Sequence, residues 1–83
     1  MSEHGPSINV PMFDGIPRQA AEVWRLRKGN HHAICTLWTH PIGCEARVLV
    51  DGELQRSEAG RIGLIVVELA LDWKERFREK GWL

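Results

Sequence analysis

The chain has 83 residues, 43% of them hydrophobic, and its eleven basic side chains are balanced by eleven acidic ones. It therefore has room for one domain and no surplus charge to draw it toward nucleic acid or an anionic membrane. Two cysteines are too few for a secreted disulfide scaffold, no basic segment followed by an apolar run opens the chain, and the longest apolar stretch, Leu64 to Val67, is far too short to span a bilayer. The expectation is a cytoplasmic protein with no membrane partner.

Residues 1–20 read as a flexible N-terminal tail. Pro6, Pro11 and Pro17, with Gly5 and Gly15, suit neither a helix nor a central strand, because proline removes a donor and fixes φ. The apolar cluster Val10 to Phe13 is available to a partner or to pack back on the domain.

Residues 21–83 read as a single α+β domain: a four-stranded antiparallel β-meander followed by one long C-terminal α-helix packed on one sheet face. Val23 to Arg27 alternates apolar and basic residues, the period-two signature of a half-buried strand. Lys28-Gly29-Asn30 makes a turn, and His32 to Thr39, rich in β-branched and aromatic side chains, is strand two. His40 to Gly43 is a turn and Glu45 to Val50 is strand three. Asp51-Gly52 is a two-residue hairpin signal, since a type I′ turn needs positive φ at both positions, and Glu53 to Arg56 is a short fourth strand.

Ser57 suits a helix N-cap and Glu58 the positive end of the helix dipole, so the helix is expected from Glu58 to Lys80, with Gly81 just beyond its end. Gly60 and Gly63 weaken its first turns by about 1 kcal/mol each. Ile62, Val66, Leu69, Trp73 and Phe77 form one stripe that should pack on the sheet, while Leu64, Val67 and Leu71 lie elsewhere on the cylinder.

Alternation places Ala33, Cys35 and Leu37 on one sheet face, aligned with Ala46, Val48 and Val50. The other face then holds Ile34, Trp38, Leu49 and Leu54. One helix covers one face, so apolar surface remains. A buried Leu, Ile or Val is worth about 1.5–3 kcal/mol against a net stability of roughly 5–15 kcal/mol, so leaving several wet is costly. The expected resolution is a homodimer, with Leu64, Val67, Leu71 and Trp38 as interface residues. The competing resolution is the tail, through Ile8, Val10, Met12, Phe13 and Ile16, folding back over the gap.

Chemistry is sparse. His32-x2-Cys35-x4-His40-x3-Cys44 approaches zinc-knuckle spacing, but His32 and Cys35 would point to opposite faces of one strand, whereas zinc needs four convergent ligands. No metal, cofactor or catalytic residue is assigned, and a metal-binding or thiol-reactive protein using Cys35 and Cys44 is a remote alternative. A single-stranded nucleic-acid binder is the main alternative. Arg25, Arg27 and Arg47 share the sheet with Trp38, and such faces stack bases and meet phosphates.

The pattern Trp24-x-Leu26-x-Lys28-Gly29, Pro41-x-Gly43, Asp51-Gly52-Glu53-Leu54 and Gly81-Trp82 resembles a group of small bacterial proteins to which no activity is attached. That resemblance covers about the last sixty positions and implies a fold only. The order of four strands then a helix is also similar to that of the dimeric transcriptional coactivators that bind single-stranded DNA, but those are typically basic. The functional expectation is a small non-enzymatic protein-interaction module that forms a homodimer and presents its sheet to another protein.

Overall fold

A computed structural model describes residues 11–83; Ile8 and Val10, expected in the apolar tail, lie outside the described residues. The elements are β1 (Gln19–Lys28), β2 (His31–His40), β3 (Gly43–Val50), β4 (Glu53–Gly60) and α1 (Gly63–Glu79). The strands form one antiparallel sheet in the order β1-β2-β3-β4, and α1 packs across one of its faces. The expected meander closed by a C-terminal helix is the fold.

Local chemistry sets the hairpins. Asp51 and Gly52 have φ of 52° and 85°, the two positive values a type I′ turn demands. The Asp51 carboxylate also reaches the start of β2: one oxygen accepts the His32 N–H at 2.9 Å and the other lies 2.6 Å from His31 Nδ1. One aspartate thus ties the β3–β4 turn to the strand two places away. The β2–β3 hairpin aligns Ala33 with Val50, Cys35 with Val48 and Leu37 with Ala46, as the alternation requires.

These residues, with Trp24 and Leu26, make the face that the helix covers. The helix contributes Val66, Ala70 and Trp73 to the buried core, and Val67, Leu69, Phe77 and Trp82 pack at its margin. Ala70 is fully buried. Its small side chain lets the helix backbone come close to the sheet, and the Trp24 indole N–H donates to the Ala70 carbonyl at 2.7 Å.

The helix C-terminus closes with a Schellman motif. Trp82 N–H bonds the Phe77 carbonyl at 3.2 Å, Gly81 N–H bonds that of Arg78 at 3.0 Å, and Gly81 has a φ of 97°. The accompanying apolar contact is aromatic, with the Phe77 and Trp82 rings 5.4 Å apart and Trp24 beyond at 5.3 Å from Phe77. Leu83 then runs beside β1, exchanging two backbone hydrogen bonds with Arg27 at 2.8 and 3.2 Å.

Three expectations need correction. The helix starts at Gly63 and not at Glu58, and Ser57 is no cap: it pairs with Arg47 in a β4 that runs on to Gly60. Ladder hydrogen bonds along the whole of β3 outweigh a helical turn holding two glycines. Ile62, expected on the packed stripe, precedes the helix and is exposed. Finally, β1 begins at Gln19, within the span assigned to the tail. Register shifts at Gln19/Ala21 and Glu22/Trp24 keep it paired where alternation lapses. Just before it, Arg18 exchanges hydrogen bonds with Thr39.

Candidate interaction surface

The outer face of the sheet, away from the helix, is built in cross-strand rows. The register places Arg25 beside Ile34, Ile34 beside Leu49 and Leu49 beside Leu54, so one row crosses all four strands. The next row is Glu22, Thr36, Arg47 and Ser57; the third is Gln19, Trp38, Glu45 and Ala59. No helix among the described residues covers any of them. Ile34 and Leu49 are half-buried by their neighbours, and Leu54 is 58% exposed.

Between the rows lies a compact cluster. The Trp38 indole N–H donates to Thr36 Oγ1 at 2.8 Å, and the Arg47 guanidinium sits over the indole, 4.4 Å from the ring centroid. Arg47 Nε also donates to Glu45 Oε1 at 2.8 Å. The indole and guanidinium together bury Thr36, although it lies on the helix-free face.

The four residues proposed as an interface do not share one surface. Trp38 is on the outer sheet face, half-buried, whereas Leu64, Val67 and Leu71 are on the helix, on the other side of the sheet. Leu64 and Leu71 are 53% and 44% exposed, and Val67 packs against the core. The nucleic-acid set does share one face: Arg25, Arg27, Arg47 and Trp38 all lie on the outer side of the sheet, with Arg27 beside His32 three rows from Trp38. Its charge is largely answered within the sheet, since Arg25 is paired with Glu22 at 2.9 Å and Arg47 with Glu45.

Cys35 and Cys44 are both free and buried on the helix-covered face. Cys35 pairs with Val48 and Cys44 with Thr39, so they are four rungs apart along one hairpin, and His32 lies on the opposite face. Burial pushes the Cys35 thiol up to about 12 and raises that of Cys44 as well, the reverse of what a reactive thiol needs. Among the described residues no cluster of three or more His, Cys, Asp or Glu side chains could hold a metal ion. A groove of about 590 Å³ runs between residues 11–13, the β2–β3 turn and Arg61. His40, Arg61 and Cys44 are the titratable side chains among those residues, and Cys44 is a buried thiol that burial keeps protonated.

Sequence reasoning missed the second half of β4, from Ser57 to Gly60 on the sheet edge. Gly60 and Gly63 were the signal against a helix there. No helix among the described residues is long and apolar enough to cross a membrane. Comparison with protein-family models, with curated proteins and with solved structures finds no match, so the motif resemblance carries no functional argument.

Proposed function

We propose that the protein is a small non-enzymatic interaction module that self-associates as a dimer and offers its outer sheet face to a protein partner. The observation that carries this reading is the row Ile34–Leu49–Leu54, which no helix among the described residues covers, with Arg25, Arg47 and Trp38 beside it. An apolar centre bordered by tryptophan and arginine is the anatomy of protein interfaces, where those two residue types dominate the energy. The exposed Leu64 and Leu71 add apolar surface on the helix side.

The competing nucleic-acid reading has in its favour that three arginines and a tryptophan share the face. Against it, Arg47 occupies one side of the Trp38 ring and is itself paired with Glu45. A base would have to displace a neutralised cation to stack on that side. Catalysis is disfavoured by two thiols that burial holds protonated, the groove-lining Cys44 among them. Two reduced cysteines suit a cytoplasmic setting.

Sedimentation equilibrium of the full chain tests the reading, with the expected mass being twice the 9.5 kDa of one copy. A monomer at every concentration overturns self-association. Salt-dependent binding to a fluorescent single-stranded oligonucleotide, lost when Arg47→Ala is combined with Trp38→Ala, transfers the face to the nucleic-acid reading.

A further inference from the structure

We infer that two copies of the chain join edge to edge, β4 against β4, antiparallel about a twofold axis at Ser57. The inference rests on the reading that the chain self-associates and adds the element and the register.

A sheet has two edges, and each presents unpaired N–H and C=O groups to any strand that fits. At the β1 edge, Leu83 already bonds Arg27 in both directions, and two register shifts interrupt the strand. At the β4 edge nothing among the described residues pairs with the outer side, and Glu53 to Glu58 are all exposed. A shift opposite Val48/Leu49 ends regular pairing near Gln55, leaving the stretch from Gln55 to Ala59 as the usable template.

The charges on that template select one register. Arg56 lies opposite Val48 and Glu58 opposite Ala46, so both side chains project from the helix-covered face, with Ser57 between them on the outer face. A twofold axis perpendicular to the sheet keeps every residue on its own face. Centred on Arg56, two guanidiniums would meet, and centred on Glu58, two carboxylates would meet. Centred on Ser57, Arg56 faces the partner's Glu58 and Glu58 faces the partner's Arg56. Opposite charges directly across an antiparallel pair stabilise it and like charges oppose it, so a single register is favoured at both symmetric positions. The same bulge and charges protect the edge from indiscriminate strands.

The helix adds apolar surface beside this joint. Arg56 sits 4.9 Å from the Trp73 ring centroid, which places the Trp73 side of the helix toward β4. Leu69, Ile65 and Ile62 continue that side at spacings of four, four and three. Ile62 and Ile65 are each 58% exposed, and the dimer brings them beside the ladder from both copies. Both outer faces stay free and lie next to each other.

Charge reversal tests the register. Arg56→Glu puts two carboxylates opposite each other at both positions, and Glu58→Arg does the same with guanidiniums. Each single change is expected to weaken dimerisation by about tenfold or more in sedimentation equilibrium, and the double reversal to restore it. Thermal melts of each variant establish that the protomer stays folded. Ser57→Cys places two thiols across the axis with Cα atoms about 4.5–5.5 Å apart, within disulfide range, so mild oxidation should yield a covalent dimer. A dimer indifferent to both single reversals, a double reversal as weak as either single, or a dimer that Ser57→Cys does not cross-link overturns the edge register while leaving self-association standing. A monomeric wild-type chain overturns both.

Discussion

The Trp24 indole N–H donates to the carbonyl of Ala70 across 2.7 Å, a buried bond joining the first strand to the middle of α1. Helix position and edge-strand packing are thereby coupled through one side chain that also packs against the tilted Phe77 ring. Trp24→Phe removes the donor and leaves a small void, and the expected loss is about 1–3 kcal/mol. Urea denaturation measures it directly. In a domain of this size each kcal/mol corresponds to a drop of about 4–8 °C in Tm.

On the outer face, Arg47 shields one side of the Trp38 ring. Arg47→Ala should cost only about 0.5–1 kcal/mol, the worth of a partly exposed cation–π contact. It should also open Trp38 to solvent. Trp38 acrylamide quenching, read in a background where the other tryptophans are replaced by phenylalanine, is expected to rise. Unchanged quenching would mean that the guanidinium does not rest on the ring in solution.

Both thiols should be silent toward aromatic disulfide reagents at pH 8 in the native protein and react fully after denaturation. Burial holds the Cys35 proton to about 12 in the folded state, while an exposed thiol releases it near 9.0. Above that value the unfolded state binds fewer protons, so stability falls as pH rises from 9.0 toward 12, at up to about 1.4 kcal/mol per pH unit. Cys35→Ala should flatten that slope when urea midpoints are compared between pH 9 and 10.5.

Asp51 behaves in the opposite sense. The His31 hydrogen bond, followed by the His32 N–H, holds its carboxyl below the ordinary 3.8. Its contribution is complete above the unfolded pKa and disappears as pH falls through the folded one. The Asp51 carboxyl carbon should titrate below 3.8 by NMR, and His31→Ala should move the midpoint back up.

Gly43 opens β3 with a φ of 150° against the end of β4, and a Cβ there would meet the Gly60 carbonyl oxygen and come within 2.8 Å of Arg61 Cα. Those obstacles are backbone and cannot swing aside. Gly43→Ala should cost at least about 2 kcal/mol by thermal denaturation. Gly52→Ala, with nothing within 4 Å of its Cβ, should lose only the backbone preference at positive φ.

Strands, hairpins and the sorting of residues between faces were legible because they depend on short-range chemistry. Period-two alternation separates Cys35 and Leu37 from Ile34 and Trp38, and Asp51-Gly52 specifies its turn regardless of surroundings. The end of β4 was not legible: locally, Ser57-Glu58 satisfies the rules for a helix start. Its fate depends on whether Arg47 and Glu45 stand alongside to pair with it, a matter of contacts distant in sequence. The candidate site divides in the same way. Its apolar row is foreseeable from alternation, but the Arg47–Trp38–Thr36 cluster that closes over part of it depends on rotamers chosen in three dimensions.

The amino-acid sequence by itself determined a four-stranded meander with a helix behind it, because alternation, turn residues and a C-terminal glycine act within a few positions of one another. Only the tertiary structure decided that the helix lies on the Cys35 face, that Ala70 is where it touches down, and that Ser57 and Glu58 end on a sheet edge. Those outcomes follow from packing volume and from ladder hydrogen bonds between residues far apart in the chain, and neither is written in any local pattern.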